Sequence, residues 1–241
     1  MEIRKIPETT STNTWAAEHD REMDLPALVY CVEQTHGRGQ RGNSWESEPG
    51  KNLTASILFR PENFPASRQF LLSETVALAL TDFLRRHGVD AKVKWPNDIY
   101  VGDKKICGIL VEHSVTGRFI TRTIAGFGIN LNQMEFRSNA PNPVSLKQLT
   151  GKDTDIDEAA KDVAETLEKF IEKAAEGNGM HEEFCNNLWR GDGDLYPFHD
   201  KVKDERIRGK IREVELDGML TLETDAGELR RYAFKEVEFI V

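Results

Sequence analysis

The sequence predicts an α+β protein, a mixed β-sheet flanked by helices and followed by a small all-β module. Three observations point there. Runs rich in β-branched and aromatic residues alternate irregularly with two long helical stretches. Glycine-rich segments lie between strands rather than opening helices. From Tyr196 onward the chain becomes a series of short runs separated by the turn signals Asp217-Gly218 and Asp225-Ala226-Gly227.

Taken in order, a short helix is expected at 11–20, where Ser11, Thr12 or Asn13 can cap it. Residues 27–35 and 52–59 read as strands. Residues 67–88 read as a helix with Ser67 as N-cap, basic residues in the last turn and Gly88 just past the end. Strands are expected at 91–95, 98–102, 106–115 and 119–129, with 101–105 as a hairpin turn. An apolar stripe at helical spacing, including Ala160, Val163, Leu167 and Phe170, predicts a helix over 155–175, and a shorter one covers 180–190.

The 241 residues are enough for a substantial core without disulfides. The net charge of −9 argues against broad nucleic-acid binding, which needs a basic footprint. Cys31, Cys107 and Cys185 are scattered and form no Cys-x-x-Cys pair, so reduced thiols are expected. No apolar run approaches the roughly 20 residues of a membrane span, and no secretory leader is visible. A cytoplasmic protein without membrane contact is the expectation.

Three stretches carry chemistry. In 36–45, Gly37, Gly39 and Gly42 are spaced as in a dinucleotide-binding fingerprint. The context fails: the segment runs on through Pro49-Gly50 into a strand, leaving no helix whose N-terminus would receive a pyrophosphate. What remains is a loop with Arg38, Arg41 and Trp45, suited to an anion beside a flat apolar face, or else a solvated basic loop with the tryptophan in the core. In 92–112, Pro96 sets an extended or turn geometry. Asn97 and Asp98 offer oxygen ligands, and Lys104-Lys105 precede Gly108, where backbone can approach a ligand closely. Alone, this is also a hairpin with a charged tip. In 126–133, glycines end a strand before Asn130 and Asn132.

Together and in this order, Ser11-Thr12-Asn13, 34–45, 94–98, 104–112 and 126–132 resemble the biotin–protein ligases. The similarity runs from about Thr9 to Gln133, continues in 144–151, and is weaker in the terminal module. The resemblance implies a class II synthetase-like catalytic domain over 1–193 and an SH3-like C-terminal β-barrel over 194–241. It also implies a two-step reaction: biotin and ATP give biotinyl-5′-AMP, then a lysine of a biotin carboxyl carrier domain of a biotin-dependent carboxylase takes the biotin. Mg²⁺ is the implied metal.

By position in the motifs, Ser11, Thr12 and Gln34 would hydrogen-bond the ureido ring, with Asn13 beside them. Gly37 and Arg38 would shape the pocket and its carboxylate end. Gly39, Gln40 and Arg41 complete the loop over the adenylate. Lys105 would be the principal catalytic cation, supported by Arg38. Asp98 is the expected metal ligand, with Asn97 supporting the pyrophosphate. Trp45 and Asn130 would bracket the adenine, and Gly108 would wall the bicyclic ring.

Two features depart from the best-known pattern. Gln40 stands where many members of the family have arginine. The first motif falls at Ser11, so the expectation is a monofunctional ligase without a DNA-binding domain, monomeric or homodimeric and not bound to DNA. The nearest rival, a lipoate–protein ligase, is disfavoured because its usual RRxxGGGxVxHD-like loop is absent. A biotin sensor without chemistry is disfavoured because Lys105, Asp98 and Arg38 are all present.

Overall fold

The computed structural model describes residues 1–40, 44–137, 142–177 and 179–241. The strands of the larger sheet are β1 (Glu2–Thr9), β2 (Ala27–Gln34), β3 (Leu53–Phe59), β4 (Phe64–Pro65), β5 (Ala91–Lys94), β6 (Asp98–Val101), β7 (Lys104–Thr116) and β8 (Phe119–Ile129). Their order is β1-β2-β3-β8-β7-β6-β5, with β4 beside β8. β1 and β2 pair in parallel and the other neighbours are antiparallel, so the sheet is mixed.

The helices are α1 (Thr12–Glu18), α2 (Phe70–Arg86), α3 (Leu146–Thr150), α4 (Ile156–Ala175) and α5 (Met180–Asn186). They cover both faces of the sheet, and strand periodicity decides which side chains meet them. On β2, Leu28 and Tyr30 join the large core with Val76, Leu80 and Phe83 of α2 and Val163 and Leu167 of α4. The alternating Ala27, Val29 and Cys31 join a smaller cluster with Ala16 of α1, Ile6 and Ile124. β3 is buried at all seven positions because it sits mid-sheet with helices on both sides.

The second sheet comprises β9 (Tyr196–Asp200), β10 (Glu205–Val214), β11 (Leu220–Thr224), β12 (Leu229–Tyr232) and β13 (Val237–Phe239). It is antiparallel throughout, in the order β12-β11-β10-β9-β13. Its centre is organised by Asp200, which is buried and accepts hydrogen bonds from the Val202 and Lys203 amides, Tyr232 Oη and Arg230. The module is welded to the larger sheet: Phe198, Leu220, Val237 and Phe239 belong to the large core cluster. Trp95 Nε1 donates to the Gly218 carbonyl at 2.9 Å, and Phe234 packs against both Trp95 and Phe70. Gly218 has φ +89°, and a Cβ there would lie 2.7 Å from the Phe70 ring, so this docking turn needs glycine.

Most elements fall where the sequence places them, and three differences bear on the architecture. The long helix begins at Phe70 with Gln69 as N-cap, since Ala66–Arg68 form a separate 3₁₀ turn, and Ser67 does not cap it. β1 was not expected: five of its eight residues are polar or charged, as suits an edge strand, and this masks the β signal. α3 was not expected either, although Ser145 and Gln148 form a reciprocal capping box and Gly151 closes it at φ +74°. All three cysteines are free thiols.

Candidate functional site

The functional residues gather on the face of the large sheet that α1 occupies. Its floor is made where side chains are missing. Gly126 and Gly128 alternate on β8 with the core residues Ala125, Phe127 and Ile129, and Gly108 of β7 pairs with Gly128. Thr54 and Ser56 of β3 pair with Gly128 and Gly126 and continue the floor. The result is a cleft of about 760 Å³.

The two ends differ in chemistry. Over Gly126 stands the start of α1: a Cβ on that glycine would lie 2.3 Å from Asn13 Oδ1. Here the Thr12 amide donates to Gln34 Oε1, and Ser56 Oγ lies 2.7 Å from Thr12 Oγ1 and 2.6 Å from Asn13 Oδ1. This end is neutral and rich in donors and acceptors. Two residues along β8, about 7 Å at strand rise, Gly128 and Gly108 lie under the Trp45 indole. A Cβ on Gly108 would also meet Lys105 Cε at 3.2 Å. Lys105 Nζ contacts Asp98 Oδ1 at 2.6 Å and sits 5.7 Å from the centre of the Trp45 ring. This end is charged.

Of the residues singled out by sequence, Ser11, Thr12, Asn13, Gln34, Arg38, Gly39, Gln40, Trp45, Asn97, Asp98, Lys105 and Gly108 all line this one cleft. Gly37 supports it from behind: its carbonyl accepts from the Trp45 amide, and a Cβ would lie 2.5 Å from the Trp45 carbonyl. Asn97 donates to the Ile109 carbonyl at 2.7 Å, which fixes the corner after Pro96. Asn130 is not among the lining residues; it is buried and donates to the Val144 carbonyl, with no hydrogen-bond partner for Oδ1. Arg41 lies outside the described residues.

Sequence reasoning missed three cations of the lining. Lys94 ends β5, and Lys201 and Lys235 come from the C-terminal module. With Arg38 and Lys105 they make five cationic side chains against the lining carboxylates Asp98 and Glu238. Burial holds the Lys94 ammonium below the usual lysine range, partly offset by Asp98. Its Nζ lies 5.1 Å from both the Tyr100 and Phe239 ring centres. Lys235 Nζ also reaches the Gln40 carbonyl at 3.4 Å, so the module touches the glycine loop. Lys94 was visible in the Lys-Trp-Pro-Asn-Asp motif. No local signal marks Lys201 or Lys235.

For a metal, the described residues contain no group of three or more His, Cys, Asp or Glu side chains able to hold one. Asp98 is a single carboxylate already in contact with Lys105. Such a set does not make a resident metal centre. It does suit a cation that arrives on a polyphosphate and asks the protein for one or two carboxylates.

This fold and this cleft are those of a ligase. The chain belongs to the biotin/lipoate A/B protein ligase family, whose sequence model matches residues 6–130. It is 29% identical over 231 residues to the bifunctional ligase/repressor BirA of Escherichia coli K12, covering 92% of this chain and 70% of that protein. It is 34% identical over 160 residues to the biotin–[acetyl-CoA-carboxylase] ligase of Paracoccus denitrificans, covering 64% of this chain and 66% of that protein. The biotin protein ligase of Aquifex aeolicus, solved in complex with biotin and ATP, shares the fold with a TM-score of 0.80 at 24% identity, covering 98% of this chain and 97% of that one. The motif-level resemblance is therefore borne out. Among the described residues no helix is long and apolar enough to cross a membrane.

Proposed function

We propose that this enzyme activates biotin with ATP to give biotinyl-5′-AMP and pyrophosphate, then transfers the biotin to a lysine of a biotin carboxyl carrier domain and releases AMP. The observation that supports this best is the order along the cleft: a neutral hydrogen-bonding end at Thr12 and Gln34, a side-chain-free floor, then a cationic end at Lys105. Biotin has that order, a polar ureido ring, an apolar body and a terminal carboxylate.

In this reading Ser11, Thr12 and Gln34 bind the ring, and Gly108, Gly126 and Gly128 leave room for the bicycle. Lys105 holds the carboxylate against the α-phosphate, and Arg38, also in the cleft lining, adds a second positive charge facing the ligand. Two anions must meet there, and fixed cations offset their repulsion in a site partly closed to water. The carboxylate oxygen forms a bond to the α-phosphorus as the bond to the departing pyrophosphate breaks. Lys94, Lys201 and Lys235, which line the same cleft, would receive that pyrophosphate. ATP enters as its Mg²⁺ complex, to which Asp98 and Asn97 supply protein oxygens. In the second half, the carrier lysine attacks the carbonyl carbon of the mixed anhydride and AMP departs.

The test is a streptavidin blot of a purified carrier domain after incubation with this protein, biotin, ATP and Mg²⁺. A biotinylated band that needs all four supports the proposal. Its absence, with the protein folded, contradicts the transfer step.

A further inference from the structure

Glu112 has no part in the site as read so far, yet it touches two residues that do. It lies on β7, four residues past Gly108 and therefore on the same face of the strand. One of its carboxylate oxygens, Oε2, accepts a hydrogen bond from Asn13 Nδ2 at 2.7 Å and another from Arg38 Nη2 at 3.3 Å.

The Asn13 side carries this contact into the cleft. Asn13 is buried, and its second amide proton faces the Leu110 carbonyl at 3.3 Å. Both donors of the carboxamide are thus directed at protein oxygens, which leaves its Oδ1 toward Ser56. Ser56, fully buried, has one hydroxyl proton. Donated to Asn13 Oδ1, it leaves Ser56 Oγ to accept from Thr12 Oγ1, while the Thr12 amide donates to Gln34. One consistent donor order therefore runs from Thr12 Oγ1 through Ser56 and Asn13 to Glu112, with the Thr12 amide donating separately to Gln34.

The Arg38 side carries it to the rim. Arg38 Nη2 is directed at Glu112 and at Thr14 Oγ1 (3.4 Å). Nε and Nη1 of the guanidinium make no hydrogen bond among the described residues, and each keeps a proton to donate to an anion. An arginine anchored at one edge is already oriented when the anion arrives, which saves the entropy of fixing a long side chain.

We infer that Glu112 is a positioning residue for the ligation reaction: one carboxylate oxygen holds Asn13 beneath the neutral end of the cleft and Arg38 at the rim beside it, fixing the two in one register. This rests on the biotin–ATP reading above. It assigns Asn13 to internal support rather than to ligand contact.

The two arms separate by substitution, read through biotin-dependent exchange of pyrophosphate into ATP. Glu112→Gln keeps an oxygen for Asn13 but loses the charge that attracts Arg38. Its kcat should fall about tenfold with the biotin KM within about threefold of wild type, as befits coupled groups in one network. Glu112→Ala removes both arms, so the biotin KM should rise about tenfold as well. In an Arg38→Ala background, Glu112→Gln should cost no further rate, because its charge acts through Arg38. Unchanged kcat in Glu112→Gln, or fully multiplicative effects of the Arg38 and Glu112 substitutions, overturns the inference. Wild-type protein without biotin-dependent exchange contradicts the functional reading instead. The positioning role is then read in the ligand-free protein by NMR: Glu112→Ala must shift the Asn13 side-chain amide and Arg38 guanidinium resonances, and unshifted resonances overturn it.

Discussion

Lys105 Nζ lies 2.6 Å from Asp98 Oδ1, across a β6–β7 pairing whose register shifts between Ile99 and Tyr100. The irregularity brings the two side chains together at the charged end of the cleft, where Asp98 pairs with Gly108 in the backbone ladder. Lysine and aspartate hold one another in place, and both are only partly exposed.

Replacing Lys105 therefore has two consequences. Lys105→Ala should lower the rate of biotinyl-adenylate formation by more than tenfold, over about 1.4 kcal/mol of barrier. It should also destabilise the fold by about 1 kcal/mol, since Asp98 loses its counter-charge in a partly buried place. Lys105 is thus more than a surface-loop lysine with nothing to lose but activity. Single-turnover kinetics and urea denaturation separate the two effects. A variant retaining more than a tenth of the wild-type rate contradicts the assignment of Lys105 as the main cation.

The half-buried Lys94 gives the alkaline limb its direction. Burial lowers its folded value below the ordinary value it has in the unfolded chain. Between the two values the unfolded chain binds more protons, so stability rises with pH across that window, and below it the full cost of the buried charge is present. Use of the triphosphate runs the other way, because the charge that attracts it is lost across the same window. kcat/KM for ATP should fall with rising pH before an exposed lysine would titrate. Lys94→Arg, charged throughout, should flatten that fall. A pH profile identical in both proteins contradicts this role.

The C-terminal module should matter to ATP more than to biotin. It supplies Lys201 and Lys235, while the neutral end of the cleft is built by α1, β2, β3 and β8. Lys235→Ala should raise the ATP KM about five- to tenfold with the biotin Kd unchanged, the size of one exposed charge-assisted contact. Truncation is the poorer probe, since removing the module would uncover Trp95 and Phe70. Equal changes for both substrates would contradict the division.

Gln40 has a narrower role. It lines the cleft and its carbonyl is held by Lys235, but its side chain carries no charge. Gln40→Arg should slow release of preformed biotinyl-adenylate by about 10- to 150-fold, corresponding to ~1.5–3 kcal/mol for a charge-assisted contact. An unchanged release rate would mean that this position does not set retention.

What the sequence shows of this site is what local chemistry can write. Gly37, Gly108 and the Gly126–Gly128 pair sit where a Cβ would strike a neighbour, and such positions stand out as glycine-rich motifs. The apolar stripe of α4 is equally local and is as expected, while its Asp155 cap emerges from the structure. The Gln40–Lys235 contact spans 195 positions, and Trp95 finds Gly218 across 123, so no window of sequence contains either. Ser56 sits in a run of buried strand residues and gains its meaning only from the register that sets it opposite Gly126. Glu112 ends a motif read as backbone approach, and only the fold reveals Asn13 and Arg38 around it.

Biotin-dependent exchange of labelled pyrophosphate into ATP tests the central claim most directly, because it isolates activation from transfer and needs no carrier domain. Wild-type protein with ATP and Mg²⁺ should show exchange when biotin is added, and none with lipoate in its place. Exchange that is absent with biotin, or that lipoate supports equally well, would contradict the assignment of this cleft to biotin activation.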